Sequence, residues 1–198
     1  MKKLLLLTIL FMSLLFSTSA FATVITFDDL IGTEDTDIGS EYLEQGYLFT
    51  ADNGGNLYSW GSAVGEDGGY TGSAALFNES YTSTVLTSVD GSLFSLYSVD
   101  ISELYMAWPY AAVLTITGIQ QNGFMVTADI TLDGTFGYET FVLEEGFTDL
   151  ASVSFYSENL DDFQLDNLNV SASTVPVPGS FLILGSGLLA AAAIRRRM

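Results

Sequence analysis

The distribution of charge along the chain constrains its fold more than any other feature of the sequence. The chain of 198 residues has 24 acidic and five basic side chains and no histidine. The basic residues all lie close to a terminus, and they are Lys2, Lys3, Arg195, Arg196 and Arg197. The body between residues 23 and 174 therefore has carboxylates but no cationic side chain. A carboxylate that is buried there must be protonated, solvated, hydrogen-bonded or neutralised by a bound cation.

An acid-only body excludes several classes of function. Without Lys or Arg it cannot displace counterions from phosphate, which excludes nucleic acid and anionic lipid headgroups as partners. Cysteine is absent as well as histidine, so disulfides, thiol nucleophiles and His-based catalytic arrangements are excluded. Because 48% of the residues are hydrophobic, the charge does not indicate disorder, and we expect one globular domain.

The first 22 residues have the pattern of a signal peptide. Lys2 and Lys3 precede a long apolar run, which is followed by small residues at Ala20 and Ala22. This order of basic, apolar and small residues is typical of a cleaved export signal. We expect cleavage after Ala22, with Thr23 as the mature N terminus.

The C-terminal residues predict a linker followed by a membrane-spanning helix. Residues 171–179 form the linker, and residues 180–198 contain an apolar run that ends in arginines. As a helix, the apolar run is roughly 24 Å long, near the shortest length that spans a bilayer. The arginines are expected on the cytoplasmic side and the acidic body on the outer side.

This C-terminal arrangement resembles the PEP-CTERM sorting signal of Gram-negative bacteria. The resemblance consists of a Pro motif, an apolar segment at 181–194 and the arginine cluster. The Pro motif comprises Val175, Pro176, Val177, Pro178 and Gly179, and the cluster comprises Arg195, Arg196 and Arg197. Val177 departs from the family, whose name-giving motif has Glu there. The resemblance implies processing by a membrane exosortase, with transient inner-membrane anchoring before delivery to the cell exterior.

Residues 23–170 predict an all-β domain. Polar and apolar residues alternate in 124–131 and in 151–156, which favours half-buried strands. Further β-rich runs lie at 24–27, 47–50, 74–77, 84–87, 97–101, 112–119, 141–143 and 163–170. Asn122-Gly123 between two such runs predicts a hairpin. About ten short strands separated by turns predict an antiparallel β-sandwich, in particular a jelly roll.

The body also resembles jelly-roll domains that are found in many PEP-CTERM proteins. The likeness is carried by short motifs at 25–30, 103–108 and 163–168. It implies an architecture similar to that of carbohydrate-binding modules, with extracellular polysaccharide as a partner.

Three aspartates are candidate ligands of a structural calcium ion. The first and last strands of a jelly roll can lie side by side, which would bring Asp28 or Asp29 near Asp166. Hard carboxylate oxygens suit Ca²⁺. The alternative is that these aspartates face water or cap turns, since their spacing is not that of an EF-hand. Residues 34–37 are interpreted as a solvated loop, and no cofactor is required.

Trp60, Trp108 and Tyr110 are candidates for stacking on sugar rings. Aromatic side chains that are exposed can offer an apolar face to a ligand. The alternative is that the two tryptophans belong to the core, as large aromatic residues commonly do in β-sandwiches. Tyr110 follows a Trp-Pro pair at a predicted turn and is the better exposed candidate.

The sequence predicts a non-catalytic protein and no catalytic residue. A glycosidase needs two carboxylates about 5 to 9.5 Å apart, a condition that some pair among 24 acids meets by chance. No basic residue in the body can orient them. We expect an exported surface or matrix protein that binds or organises extracellular polysaccharide. The alternatives are a structural or adhesive surface protein without a specific ligand and, with less support, a glycan-active hydrolase.

Overall fold

The chain is built from antiparallel β-strands throughout the part that the structure describes. The computed structural model describes residues 22–32, 36–62, 69–78, 82–106, 113–143, 145–157 and 163–173. The strands are β1 (Ala22–Ile25), β2 (Thr36–Gly39), β3 (Glu41–Glu44), β4 (Tyr47–Ala51), β5 (Leu57–Trp60), β6 (Ala75–Asn78), β7 (Thr84–Ser88), β8 (Phe94–Glu103), β9 (Val113–Gln120), β10 (Met125–Thr131), β11 (Glu139–Val142), β12 (Leu150–Ser157) and β13 (Phe163–Ala172). One short 3-10 helix, Asp28–Leu30, follows β1.

The strands form two layers, as expected for an antiparallel sandwich. Sheet I has the order β2-β5-β6-β13-β8-β11, and β1 pairs with the part of β13 that β6 leaves free. Sheet II has the order β3-β4-β7-β12-β9-β10. Within the described residues, strand pairing of Leu150 with Phe94 links the two layers. The backbone N–H of Leu96 on β8 also donates to the carbonyl oxygen of Phe147, which precedes β12, at 3.0 Å.

The hydrophobic core lies between the two sheets. Both contribute fully buried side chains to one cluster, which includes Phe27, Phe49, Phe94, Ile101, Leu114, Ile116, Val153, Phe155 and Leu165. Alternation along the strands produces this arrangement, because every second residue faces the core. Phe27 and Phe49 pack edge to face with their ring centroids 5.2 Å apart. Truncating such a side chain to alanine costs about 3–5 kcal/mol of stability.

The hairpin predicted at Asn122-Gly123 is confirmed. It joins β9 to β10, which pair from Ile119 with Met125 to Val113 with Thr131. Gly123 has a φ of +82°, a conformation that glycine adopts without steric cost. The side-chain Oδ1 of Asn122 accepts a hydrogen bond from the backbone N–H of Phe124 at 2.9 Å.

A β-bulge interrupts β13 in the middle of sheet I. The pairing passes from Asp166 with Asp100 to Asn169 with Ser98, so β13 has one residue more than β8 over this interval. Asn167 has a φ of +47°, and asparagine is among the residues that tolerate this region best. The additional residue shifts the alternation, so that Leu165 and Leu168 both face the core.

The domain boundaries lie close to the ends of the described residues. One compact unit spans Phe21–Ser173. Ala22 is the first residue of β1 and pairs with Ser171, so cleavage after Ala22 leaves Thr23 to Ile25 in the strand. The rest of the predicted signal peptide, including Ala20, and the C-terminal residues 174–198 lie outside the described residues. Where the structure describes the chain, none of its helices has the length and apolar character needed to cross a bilayer.

Candidate functional site

An acidic cluster lies on the face of sheet I that points away from the core. Asp166 on β13 pairs with Asp100 on β8, and Asp100 pairs on its other side with Thr140 on β11. Their strand neighbours Leu165 and Ile101 are fully buried in the core. Because side chains alternate along a strand, the cluster occupies the opposite face. Asp166 is nevertheless 0% exposed, so other parts of the chain cover it.

Neutral donors hydrogen-bond every carboxylate oxygen of Asp100 and Asp166. The backbone N–H of Asn167 donates to Asp166 Oδ1 at 2.7 Å, and its amide Nδ2 donates to Asp166 Oδ2 at 3.3 Å. The same Nδ2 donates to Asp100 Oδ2 at 2.8 Å, while the Thr140 hydroxyl donates to Asp100 Oδ1 at 2.6 Å. The bulge therefore places one asparagine where it bridges two carboxylates.

Burial shifts the protonation of this cluster. It raises the pKa of Asp166 from 3.8 to about 7, against the hydrogen bonds from Ser73 and Asn167, and the charges of Asp100 and Asp28 raise it further. Burial also raises the pKa of the nearby Tyr138 hydroxyl, with a further contribution from the charges of Asp166 and Asp100. Asp166 can therefore hold a proton near neutral pH, where an ordinary aspartate is ionised.

The two aspartates of the 3-10 helix have different neighbours. β1 pairs with β13, as expected for a first and last strand. The charge of Asp28 raises the pKa of Asp166. Asp29 acts on Glu44 instead, a buried carboxylate whose pKa is raised chiefly by burial. The Tyr42 hydroxyl donates to Glu44 Oε2 at 3.2 Å. Calcium binding by Asp28, Asp29 and Asp166 stays a prediction. Asp100, which pairs with Asp166, was not predicted from the sequence as a member of this acidic group.

The aromatic candidate Trp60 lies in a small apolar cluster beside sheet I. Its side chain is 6% exposed and stacks on Phe77 with centroids 5.9 Å apart, and Phe77 stacks in turn on Tyr58. A β-carbon at Gly69 would lie 2.6 Å from Trp60 Nε1, which shows how closely the chain covers the indole. This burial favours the core alternative for Trp60. Trp108 and Tyr110 lie outside the described residues, so stacking there stays a prediction.

A polar cleft lies beside the β9–β10 turn. Its volume is about 420 Å³, and it is lined by Gln120, Gln121, Asn122 and Asp149. The backbone N–H of Gln121 donates to the carbonyl oxygen of Asp149 at 3.1 Å, which fixes one wall against the other. Phe124 lies on the same turn and is 71% exposed. The sequence signalled only the turn at Asn122-Gly123, because Asp149 is brought there by the sheet pairing.

The C-terminal residues carry a known sorting signal. Residues 174–197 match the PEP-CTERM protein-sorting motif, in agreement with the prediction from the Pro motif and the arginine cluster. A search of curated proteins finds no match to the chain.

The body is similar in fold to carbohydrate-binding modules of known structure. A mutant of a family 29 module aligns at 17% identity over 80% of this chain and 99% of its own, with a TM-score of 0.43. The CBM22-1 xylan-binding domain from Paenibacillus barcinonensis Xyn10C aligns at 14% identity over 80% of this chain and 99% of its own, with a TM-score of 0.46. Its tandem CBM22-1-CBM22-2 form aligns at 16% identity over 82% of this chain and 50% of its own, with a TM-score of 0.48. Similarity at this level carries no information about the ligand of this chain.

Proposed function

We propose that the protein is exported to the cell surface or extracellular matrix and binds or organises extracellular polysaccharide without catalysis. The observation that carries this proposal is the sorting motif at 174–197. The signal-peptide pattern at 1–22 supports it from the other end of the chain. The partners of the precursor are then the export machinery, an exosortase and, through its C-terminal helix, the inner membrane.

The charge of the body supports a role among extracellular polymers. With 24 acidic residues and no basic residue between positions 4 and 194, the body repels anionic polymers and attracts cations. Divalent cations can bridge such a surface to an anionic polysaccharide. Contacts of this kind weaken as monovalent salt is added, because salt screens exposed charges.

The cleft beside the β9–β10 turn supports direct contact with sugars. Amide and carboxylate side chains at Gln120, Gln121, Asn122 and Asp149 can exchange hydrogen bonds with hydroxyl groups. The exposed ring of Phe124 offers an apolar face on the same turn. Polar groups that converge beside an aromatic ring are typical of ligand sites.

An adhesive role without a specific ligand is the second candidate. The exposed apolar side chains of Phe124, Met125 and Val142 favour it, with exposures of 71%, 67% and 79%. Hydrolysis has less support, because no Lys, Arg or His between residues 4 and 194 can orient a carboxylate pair.

A glycan array separates the two binding roles. The full-length protein is expected to give a selective, saturable signal that falls at least about tenfold, or about 1.4 kcal/mol, in Phe124→Ala. Asp149→Asn is expected to weaken the same signal, whereas the control Val142→Ala, on a different strand, leaves it unchanged. Equal binding by all variants, or no saturable signal, contradicts sugar recognition at the cleft and favours the adhesive role. Full binding by Trp108→Ala and Tyr110→Ala excludes stacking at those two positions.

Cell fractionation tests the sorting half of the proposal. Replacement of Arg195, Arg196 and Arg197 by alanine is expected to leave unprocessed precursor and to deplete the protein from the cell surface. Val177→Glu, which restores the name-giving residue of the motif, is the matched control and is expected to sort normally. Normal surface delivery without the arginines contradicts the proposal.

A further inference from the structure

A second group of carboxylates lies at one end of the sandwich. Glu103 is the last residue of β8, Asp133 follows β10, and Glu139 is the first residue of β11. One carboxylate oxygen from each lies within 4.8 Å of those from the other two. The segment between β10 and β11 passes here from sheet II to sheet I, so the group lies where the chain closes the end of the core.

Glu103 is the buried member of the group. Its side chain is 2% exposed, and its Oε1 accepts a hydrogen bond from the backbone N–H of Gly134 at 2.9 Å. Its Oε2 is also buried but has no hydrogen-bond partner within the described residues. Leaving a charged oxygen buried without a partner is costly, on the order of several kcal/mol. Protonation of the carboxyl group or a cation bound at Oε2 would remove this cost.

The loop holds the other two carboxylates by one oxygen each. The backbone N–H of Asp133 donates to Glu139 Oε1 at 2.9 Å, and the backbone N–H of Thr135 donates to Asp133 Oδ1 at 2.6 Å. Each of the three acids thus has one oxygen fixed by a loop amide. These amides hold the three carboxylates close together at the end of β8.

No side chain of the body can place a positive charge beside this carboxylate. No Lys, Arg or His occurs between residues 4 and 194. The carboxylates of Asp133 and Glu139 lie close to that of Glu103, so their charges repel it. A proton or a bound metal ion can relieve this repulsion.

We infer that Glu103, Asp133 and Glu139 bind a calcium ion that fastens the loop between β10 and β11 to the end of β8. Calcium binds oxygen at about 2.3–2.6 Å, so two ligands of one ion lie up to about 5 Å apart, which accommodates the observed 4.8 Å limit. Three carboxylates, one of them buried, suit Ca²⁺ better than Mg²⁺, which loses its water reluctantly. Three carboxylates supply only part of the six to eight oxygen ligands that Ca²⁺ takes, so water would supply the rest. The inference does not depend on polysaccharide binding.

Isothermal titration of the full-length protein tests the site after its divalent ions have been removed with a chelator. We expect Ca²⁺ binding that is weakened at least about 30-fold in Asp133→Asn and in Glu139→Gln, with Mg²⁺ at least about tenfold weaker than Ca²⁺ in the parent. Asp133 is exposed, so its variant is expected to fold normally. The control Glu41→Gln removes an exposed acid from β3, at the edge of the other sheet, and is expected to bind Ca²⁺ like the parent.

Thermal melting of Glu103→Gln provides the second readout. This variant removes the buried charge, so we expect it to melt higher than the calcium-free parent and to lose the further increase that Ca²⁺ gives the parent. Unchanged Ca²⁺ affinity in Asp133→Asn and Glu139→Gln overturns the inference. A parent that binds no Ca²⁺ also overturns it, because a proton alone then neutralises Glu103. Equal weakening in Glu41→Gln overturns it as well, since it indicates diffuse binding to an acidic surface.

Discussion

Two acidic clusters contain residues of the same strand, β8, and compensate their charge differently. At Asp100 and Asp166, all four carboxylate oxygens accept hydrogen bonds from Asn167 or Thr140. At Glu103, one loop amide, that of Gly134, donates to Oε1, while Oε2 is buried without a partner in the described part of the chain. A body without basic side chains thus uses neutral donors where these reach the acid, and we infer a cation where they do not.

The pleat of β8 explains why one strand contributes to both clusters. Val99 and Ile101 are fully buried in the core, so Asp100 faces the outer side of sheet I. By the same alternation, Glu103 lies on the core side, at the end of the strand. On the outer face, polar side chains of neighbouring strands donate to Asp100, whereas on the core side Glu103 accepts its hydrogen bond from the backbone of the loop at Gly134.

The largest expected effect concerns pH at the Asp166 cluster. The pKa of Asp166 is about 7 in the folded protein and 3.8 in the unfolded chain. Asp166 therefore keeps its proton to a higher pH when the protein is folded. The folded state then binds more protons between these values, so the free energy of unfolding falls as pH rises from about 4 to 7, by up to about 4 kcal/mol. The charges of Asp100 and Asp28 raise the pKa of Asp166, and the charge of Asp166 in turn raises the pKa of Tyr138.

Urea unfolding at several pH values, in the presence of a chelator, measures this effect. Asp166→Asn is expected to flatten the pH dependence and to be the more stable protein above pH 7. The buried acids Glu44 and Glu103, whose pKa values are also raised, leave a smaller slope of the same sign. An unchanged slope in Asp166→Asn contradicts the assignment of the proton to this residue.

The second effect is the stabilisation by calcium at the Glu103 cluster. At a Ca²⁺ concentration 100 times the dissociation constant, we expect a gain of about 2.7 kcal/mol in the free energy of unfolding. Asp166→Asn should retain this gain and Asp133→Asn should lose it, as measured by urea unfolding with and without Ca²⁺. The opposite pattern would place the ion at the aspartates predicted from the sequence, and the Asp166 cluster rather than the Glu103 cluster would then be the one neutralised by a cation.

A smaller loss is expected from the residue that bridges the two aspartates. Asn167→Ala removes the amide donor and places alanine at a positive φ, so we expect it to lower the free energy of unfolding at pH 7.5 by about 1–3 kcal/mol. Asn167→Gly removes the amide alone and should cost less than the alanine variant. Both penalties should shrink at pH 5, where Asp166 is protonated. Penalties that do not change with pH would show that the bulge itself, rather than the charge, requires asparagine.

The smallest effect is expected at Thr140. Thr140→Val removes one exposed hydrogen bond to Asp100 and should cost about 0.5–1.5 kcal/mol by chemical denaturation. The control Glu41→Gln should stay within about 0.5 kcal/mol of the parent. A loss at Thr140 as large as that of Asn167→Ala would mean that Asp100, not Asp166, is the acid that controls the cluster.

Much of the fold follows from local sequence patterns. The runs of alternating or β-branched residues each correspond to a strand, because alternation directly reports one buried face. Three short strands, β2, β3 and β5, were not predicted. Thr36 and Asp37 belong to β2 and not to the predicted solvated loop. The sequence does not reveal this strand because it is a polar strand at the edge of sheet I. The strand predicted over 124–131 begins one residue later, at Met125, and Phe124 is exposed in the turn before it.

The candidate sites depend on long-range register and were less accessible from sequence. The meeting of the first and last strands was predicted, which brought Asp28 and Asp166 into consideration. No local pattern connects either with Asp100, whose position depends on the bulge at Asn167. Asp133 follows a predicted strand, and nothing in the local sequence places it beside Glu103. Nothing near Glu103 in the sequence indicates that the loop after β10 covers it.

The most direct test of this account is the position of calcium in a crystal of the protein grown with Ca²⁺, located by anomalous scattering. We expect a strong peak bounded by Glu103, Asp133 and Glu139, with none between Asp100 and Asp166, where neutral donors already satisfy the carboxylates. A peak at Asp28 and Asp166, with none at Glu103, would contradict it.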